Sequence, residues 1–232
     1  MSSTSYVDAI VLFGDSLTQT CASGSLYQRM AQHYERRLDV VNRGFSGYNT
    51  RWALPVFKRV IRSHQNQSIR LLTLWLGAND SVNQGESQHV PLEEYKANLR
   101  QFIQLVTDPK SDNYLKDVRV ILITPPPVIG KFRPDRDTSN TQLYAQACLA
   151  VAEELSLPAV DMYTAILQAA GGDTDDQLSP YFYDGLHLTS EGYQVLFDRI
   201  MSVIEQQHPD LKGVEIPLAV PDWSDVARSH AE

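Results

Sequence analysis

Five short apolar runs punctuate the chain, at Ile10–Phe13, Leu38–Asn42, Arg70–Leu76, Val118–Thr124 and Ala159–Met162. Their apolar residues follow one another with little polar alternation, the pattern of strands buried on both faces. Longer stretches with helical spacing lie between and after them, at Gly24–Arg37, Tyr48–His64, Pro91–Thr107, Ser139–Ser156 and Ser190–Gln206. In the third of these, Leu92, Tyr95, Leu99, Phe102, Ile103 and Val106 fall on one helical face. Strands alternating with helices predict an α/β fold: a five-stranded parallel sheet covered by helices on both sides. Residues 1–207 read as one domain. Beyond Gln207 the pattern changes. Pro209, Pro217 and Pro221 oppose a helix, while Ile216, Leu218 and Val220 alternate. With Trp223 as a further apolar anchor, residues 208–232 read as an extended arm docked on its own subunit or on a partner.

In an open parallel sheet, ligands bind outside the carboxyl ends of the strands. The residues that follow the strands are therefore the informative ones. They are Gly14-Asp15-Ser16, then Arg43-Gly44-Phe45-Ser46-Gly47, then Gly77-Ala78-Asn79-Asp80, then Pro125-Pro126-Pro127.

Composition narrows the classes. Hydrophobic residues make up 43% of the 232, enough for a sizeable core, which argues against disorder. The net charge of −8 and absence of a basic cluster disfavour nucleic acid and anionic membrane surfaces as partners. Cys21 and Cys148 stand far apart and outside any C-x-x-C pattern, so neither a zinc site nor a disulfide framework is indicated. No basic region with a long apolar stretch and cleavage site begins the chain, and the first apolar run is too short to span a bilayer. The expectation is a soluble, cytoplasmic protein without a metal or cofactor.

Acyl transfer by serine needs a nucleophile, a base oriented by a carboxylate, and donors for the oxyanion. Ser16, at a strand end before a helix, is the candidate nucleophile, although a serine there is as readily a helix cap. Six histidines compete for the base. His33 and His64 lie in polar helical stretches, His208 and His230 in the tail, and His89 in a polar loop. His187 differs: Asp184 precedes it by three residues in a glycine-containing loop, and Thr189 or Ser190 then caps the last helix, with Glu191 in its first turn. Gly44 offers an unobstructed backbone N–H and Asn79 a side-chain amide. Each also has an ordinary reading, as a turn glycine and as a loop asparagine. What separates these residues from coincidence is that Ser, Gly, Asn and Asp-x-x-His follow predicted elements at the same sheet edge.

"FGDSLTQ", Gly44, "GAND" and "DGLH" resemble the four blocks of the SGNH (GDSL-type) hydrolases, from Ile10 to about Met201. With "WLGAND", "ITPPPV" and "DGLHLTSEGY", the sequence is most similar to the isoamyl acetate-hydrolysing esterase group. The resemblance implies a three-layer, flavodoxin-like fold. It implies Ser16 as nucleophile, His187 as general base and Asp184 as its orienting partner. It implies an oxyanion hole of the Ser16 and Gly44 N–H groups and the Asn79 amide. The expected substrate is a small-molecule ester, with small acyl groups preferred by resemblance alone. A thioesterase, lysophospholipase or carbohydrate deacetylase would use the same machinery.

Other classes fare worse. A phosphate or nucleotide binder on this fold would carry G-x-x-x-x-G-K-[ST] or G-x-G-x-x-G, and neither is present. A non-catalytic binding protein would not need the full set of catalytic residue types. Asp15 and Asp80 read as supports for their turns, and Pro125-Pro126-Pro127 as a stiff scaffold loop, with a wall of the acyl pocket as the less favoured alternative. The "GGDTDDQ" acids, Asp173, Asp175 and Asp176, read as a solvated loop. A homodimer joined through the arm, with the arm near the cleft, is a further expectation.

Overall fold

A computed structural model of the chain describes residues 7–64 and 66–229. His230 lies outside them. Five parallel strands form one sheet: β1 (Ala9–Gly14), β2 (Asp39–Gly44), β3 (Ile69–Trp75), β4 (Arg119–Ile123) and β5 (Ala159–Val160). Their order across the sheet is β2-β1-β3-β4-β5, the flavodoxin-like arrangement. The chain therefore reverses its direction of winding between β1 and β3, and the cleft at that reversal is where such sheets bind ligands.

Nine helices accompany the sheet among the described residues: α1 (Ser16–Gln19), α2 (Leu26–His33), α3 (Thr50–Ser63), α4 (Leu92–Thr107), α5 (Thr138–Glu154), α6 (Met162–Ala170), α7 (Asp175–Leu178), α8 (Ser190–Gln207) and α9 (Trp223–Ser229). The apolar residues of each strand divide between two cores. Ile10 and Leu12 face one side with Met30, Ile166, Leu196 and Ile200, so α2, α6 and α8 form that layer. Val11 and Phe13 face the other with Phe57, Phe102 and Val151, so α3, α4 and α5 form the opposite layer. Period-two alternation within a strand buried on both faces produces this split. In the second core Phe13, Phe57 and Phe102 meet edge to face or tilted, with ring centroids 4.9–5.9 Å apart.

The five strands and five long helices expected from the sequence are present, with shifted ends. The expected strand Ala159–Met162 shortens to two residues because Asp161 caps α6, its carboxylate accepting from Thr164 N at 3.0 Å. The short α6 and α7 were not anticipated, and the helix expected at Ser16 is the single turn α1.

The tail departs from the extended arm expected. It turns through two short 3₁₀ segments, Pro209–Leu211 and Gly213–Glu215, and ends in α9. It lies on its own chain. Leu211 and Ile216 are buried, Tyr34 Oη donates to Leu211 O at 2.7 Å, and Ala219 N donates to Arg36 O at 2.8 Å. Asp210 joins Arg70 and Arg119 at 3.1 and 3.2 Å. Trp223 is 79% exposed and is not the buried anchor expected. Arg70 and Arg119 begin β3 and β4, so this docking site is at the edge of the sheet opposite Ser16. Among the described residues no helix is long and apolar enough to cross a membrane.

Candidate active site

β1 ends in three residues whose positions are each fixed by packing. A Cβ on Gly14 would collide with Thr18, so only glycine lets α1 fold back so closely. Asp15 is fully buried and caps α1, its Oδ1 accepting from Leu17 N at 2.9 Å. That cap directs Ser16, the first residue of α1, to the carboxyl edge of the sheet. α8 supports it from behind, where Tyr193 Oη donates to Leu17 O at 2.7 Å.

His187 is delivered by the loop between α7 and α8, closed by an antiparallel bridge between Phe182 and Leu188 and by the Thr189 cap on Gly192 N. Its Nε2 is 2.9 Å from Ser16 Oγ, and its Nδ1 is 2.7 Å from Asp184 Oδ2. An ionised carboxylate only accepts, so Nδ1 carries the proton and Nε2 is left to accept from the serine hydroxyl. The other carboxylate oxygen, Oδ1, accepts from the backbone N–H of both Leu186 (3.0 Å) and His187 (2.8 Å). Partial burial would raise the Asp184 pKa, but these hydrogen bonds outweigh it and hold the carboxyl below its ordinary value. Arg133 Nη1 also approaches Asp184 Oδ2, at 3.5 Å. The Tyr183 ring stacks on the imidazole at 5.6 Å and 16°.

The three remaining expected residues fare differently. Ser16 N, the first amide of α1, has no partner among the described residues, as the start of a helix leaves it. Asn79 is buried after β3. Its Nδ2 donates to Tyr48 O at 2.9 Å and its Oδ1 accepts from Arg136 Nη2 at 3.1 Å, which leaves Nδ2 one N–H to give. Gly44 is a correction. Its N–H donates to Asn42 Oδ1 at 3.0 Å, while Asn42 Nδ2 closes the end of α1 by donating to Thr18 O at 2.8 Å. A Cβ there would strike the Gln19 backbone. Gly44 is glycine so that β2 and α1 can touch, and its amide is already used. The next glycine, Gly47, takes φ +80° and has an N–H without a partner among the described residues. It is one peptide from the Tyr48 carbonyl that holds Asn79.

The other histidines are elsewhere. His64 meets Arg43 and the Val60 carbonyl, His89 meets the Val82 carbonyl, and His33 packs on Tyr34 and Phe197. Asp80 accepts from Thr50 N, the first amide of α3, at 2.9 Å and from the Thr50 hydroxyl, and Pro125–Pro127 are buried scaffold. Asn42, Gly47 and Arg136 were missed by reading the sequence. The second glycine of "RGFSGYN" was visible there. Arg136, in the charged string "RPDRD", carried no signal, because such a string ordinarily faces solvent.

A cavity of about 330 Å³ opens on Ser16 and His187. Thr20, Ala22, Ser23 and Tyr183 wall it.

Comparison with known proteins agrees with the geometry. Residues 12–195, which span β1 to the first turns of α8, match the GDSL-like lipase/acylhydrolase family. The chain is 39% identical to the human isoamyl acetate-hydrolyzing esterase 1 homolog, over 96% of this chain and 90% of that protein. It is 31% identical to the isoamyl acetate-hydrolyzing esterase of Saccharomyces cerevisiae, over 94% and 95%. A lipase/acylhydrolase from Enterococcus faecalis shares the fold with a TM-score of 0.68 at 24% identity, over 85% of this chain and 95% of that one. A serine at the end of β1, the strand order and the matched span lead to one assignment: the chain belongs to the GDSL-like lipase/acylhydrolase family.

Proposed function

We propose that the chain is a serine carboxylic ester hydrolase acting on small or short-chain acyl esters, such as acetate esters of alcohols. The observation that carries this reading is the unbroken line from Asp184 Oδ2 through His187 to Ser16 Oγ, at 2.7 and 2.9 Å. Ser16 Oγ attacks the ester carbonyl as His187 Nε2 takes its proton, and Asp184 stabilises the imidazolium that results. Ser16 N, Gly47 N and Asn79 Nδ2 donate to the oxyanion. His187 returns the proton to the leaving alcohol, then draws one from the water that hydrolyses the acyl-enzyme.

The modest cavity beside the serine and the likeness to the human and yeast proteins support small esters as substrates. Two free thiols, Cys21 and Cys148, support a reducing, cytoplasmic setting. Exposed Val214, Val220, Trp223 and Val226 support pairing of two chains through the tail. The chemistry is tested with p-nitrophenyl esters from acetate to decanoate, acyl-CoA thioesters and acetylated sugars. The reading expects turnover to be fastest on acetate and to fall with chain length. A maximum at decanoate, or turnover of acyl-CoA or acetylated sugars well above the alkyl esters, would move the assignment to the lysophospholipase, thioesterase or deacetylase alternatives.

A further inference from the structure

Arg136 lies between β4 and α5, with its side chain only 2% exposed. Burying a guanidinium is costly, and arginine is seldom buried without a task. Desolvation pushes its pKa down, while Asp135, with Oδ2 at 3.3 Å from Nε, works the other way. Arg136 Nη1 donates to the Ala78 carbonyl, and Nη2 donates to Asn79 Oδ1 at 3.1 Å. Its backbone is held as well, by a bridge to Val82 and by donation from Arg136 N to Arg133 O at 3.0 Å. One rigid fork thus grips two consecutive residues of the loop that carries the oxyanion amide.

The pattern of donors and acceptors gives the grip its meaning. A primary amide can sit in either of two orientations related by a half-turn. Arginine has only donors, so it accepts Asn79 with Oδ1 toward it. The Tyr48 carbonyl only accepts, so it requires Nδ2 on its own side. Both partners select the same orientation, the one that leaves an Nδ2 hydrogen uncommitted. A flipped Asn79 would oppose carbonyl to carbonyl at Tyr48 and donor to donor at Arg136. A cation on Oδ1 also polarises the amide and strengthens Nδ2–H as a donor.

We propose that Arg136 is a positioning residue for ester hydrolysis, locking the Asn79 amide so that Nδ2 donates to the oxyanion. The inference rests on the assignment of Asn79 to the oxyanion hole.

A double-mutant cycle tests it, with kcat and KM measured on p-nitrophenyl acetate for wild type, Asn79→Ala, Arg136→Met and the double variant. Arg136→Met keeps the bulk and removes the donors. Its kcat is expected to fall roughly 10- to 100-fold with KM little changed, short of the roughly 10²–10³ that losing the donor itself costs. On the Asn79→Ala background the same change is expected to cost almost nothing. Losses that multiply, or an Arg136→Met enzyme as fast as wild type, overturn the proposal. A merely structural arginine would lower the fraction of active enzyme on both backgrounds alike. If Arg136→Met does not fold, Arg136→Lys runs the same cycle. It keeps the charge but not the fork, and is expected to lose kcat on the wild-type background alone. A lysine variant of wild-type kcat, or one that loses equally on both backgrounds, overturns the proposal too. If Asn79→Ala itself retains full kcat, the oxyanion assignment fails rather than the role of Arg136 alone.

Discussion

Asp15 and Asp80 are carboxyls almost wholly removed from water, one next to Ser16 and one next to Asn79 in the chain. Burial pushes each of them up from 3.8 to about 7, against the hydrogen bonds they accept from Leu17 and Thr50. The Asp80 charge also raises Asp15 while Arg136 lowers it, and Asp15 Oδ2 has no hydrogen-bond partner among the described residues. A raised carboxyl pKa means that the folded state binds more protons than the unfolded chain between 3.8 and about 7. The stability that Asp15 contributes is therefore present below that window and is lost as pH rises through it. Asp15→Asn keeps the acceptor for Leu17 N and removes the titration. Its stability relative to wild type is expected to increase from pH 4 to pH 8 in urea unfolding; a constant difference would contradict the raised pKa. Asp184 is the opposite case, held ionised by its hydrogen bonds. Asp184→Asn is expected to lower kcat by roughly 10⁴, as the comparable change does in a serine protease, because the amide favours the wrong imidazole tautomer. Retention of near wild-type kcat would remove Asp184 from the triad. The sequence announced Asp15 and Asp80 as turn supports and Asp184 as the partner of His187. It could not announce their opposite titrations, which depend on burial and on which N–H groups the turn presents.

Among the elements, the strands were legible because continuous apolar runs have few other uses, and the long helices because their apolar residues keep a helical period. The errors fell where length or context decides. Ala159–Met162 reads as a strand, yet Asp161 is a better cap than strand residue, and α6 begins there. α1 and α7 are single turns, too short for a period to register. The glycine-rich loop after β2 shows the same limit. Gly44 and Gly47 are equally visible in "RGFSGYN", but only packing shows that Gly44 is held against Gln19 with its amide on Asn42. Gly44→Ala is expected to destabilise the fold by about 1–3 kcal/mol, since the extra methyl meets backbone on the neighbouring element. At Gly47 a Cβ meets only Gln88 Nε2 at 3.6 Å, so Gly47→Ala carries the cost of its positive φ, about 1–2 kcal/mol, without a collision. Thermal unfolding of the two variants checks the order; a Gly47 variant that is much the weaker would contradict it.

At the scale of the whole molecule, the parallel sheet separates chemistry from docking. Ser16, Gly47, Asn79 and His187 gather at the carboxyl edge, while the tail covers the opposite edge and the end of α2. The alternation of Ile216, Leu218 and Val220 pointed to an extended arm. Only Ile216 of these three is buried, and the two 3₁₀ turns between Pro209 and Glu215 break the extended run before it. Truncation after Gln207 removes Leu211, Ile216 and the Asp210 pairs with Arg70 and Arg119. The truncated chain is expected to melt at lower temperature. Light scattering is expected to give twice the chain mass for the full chain and a single-chain mass after truncation. A full chain of single mass would end the proposal of pairing through the tail.

The central claim is that Ser16 is a nucleophile at the end of β1 and not a helix cap. Its most direct test is the hydrolysis of p-nitrophenyl acetate by wild type and Ser16→Ala at neutral pH, each shown to be folded. Asp15 supplies the cap, so Ser16→Ala should fold as wild type does. The account predicts steady turnover by wild type and a fall of roughly 10⁶ in kcat for the variant, the scale seen when a serine enzyme loses its nucleophile. Two folded proteins of equal rate would contradict it, and would return Ser16 to the role of a turn residue.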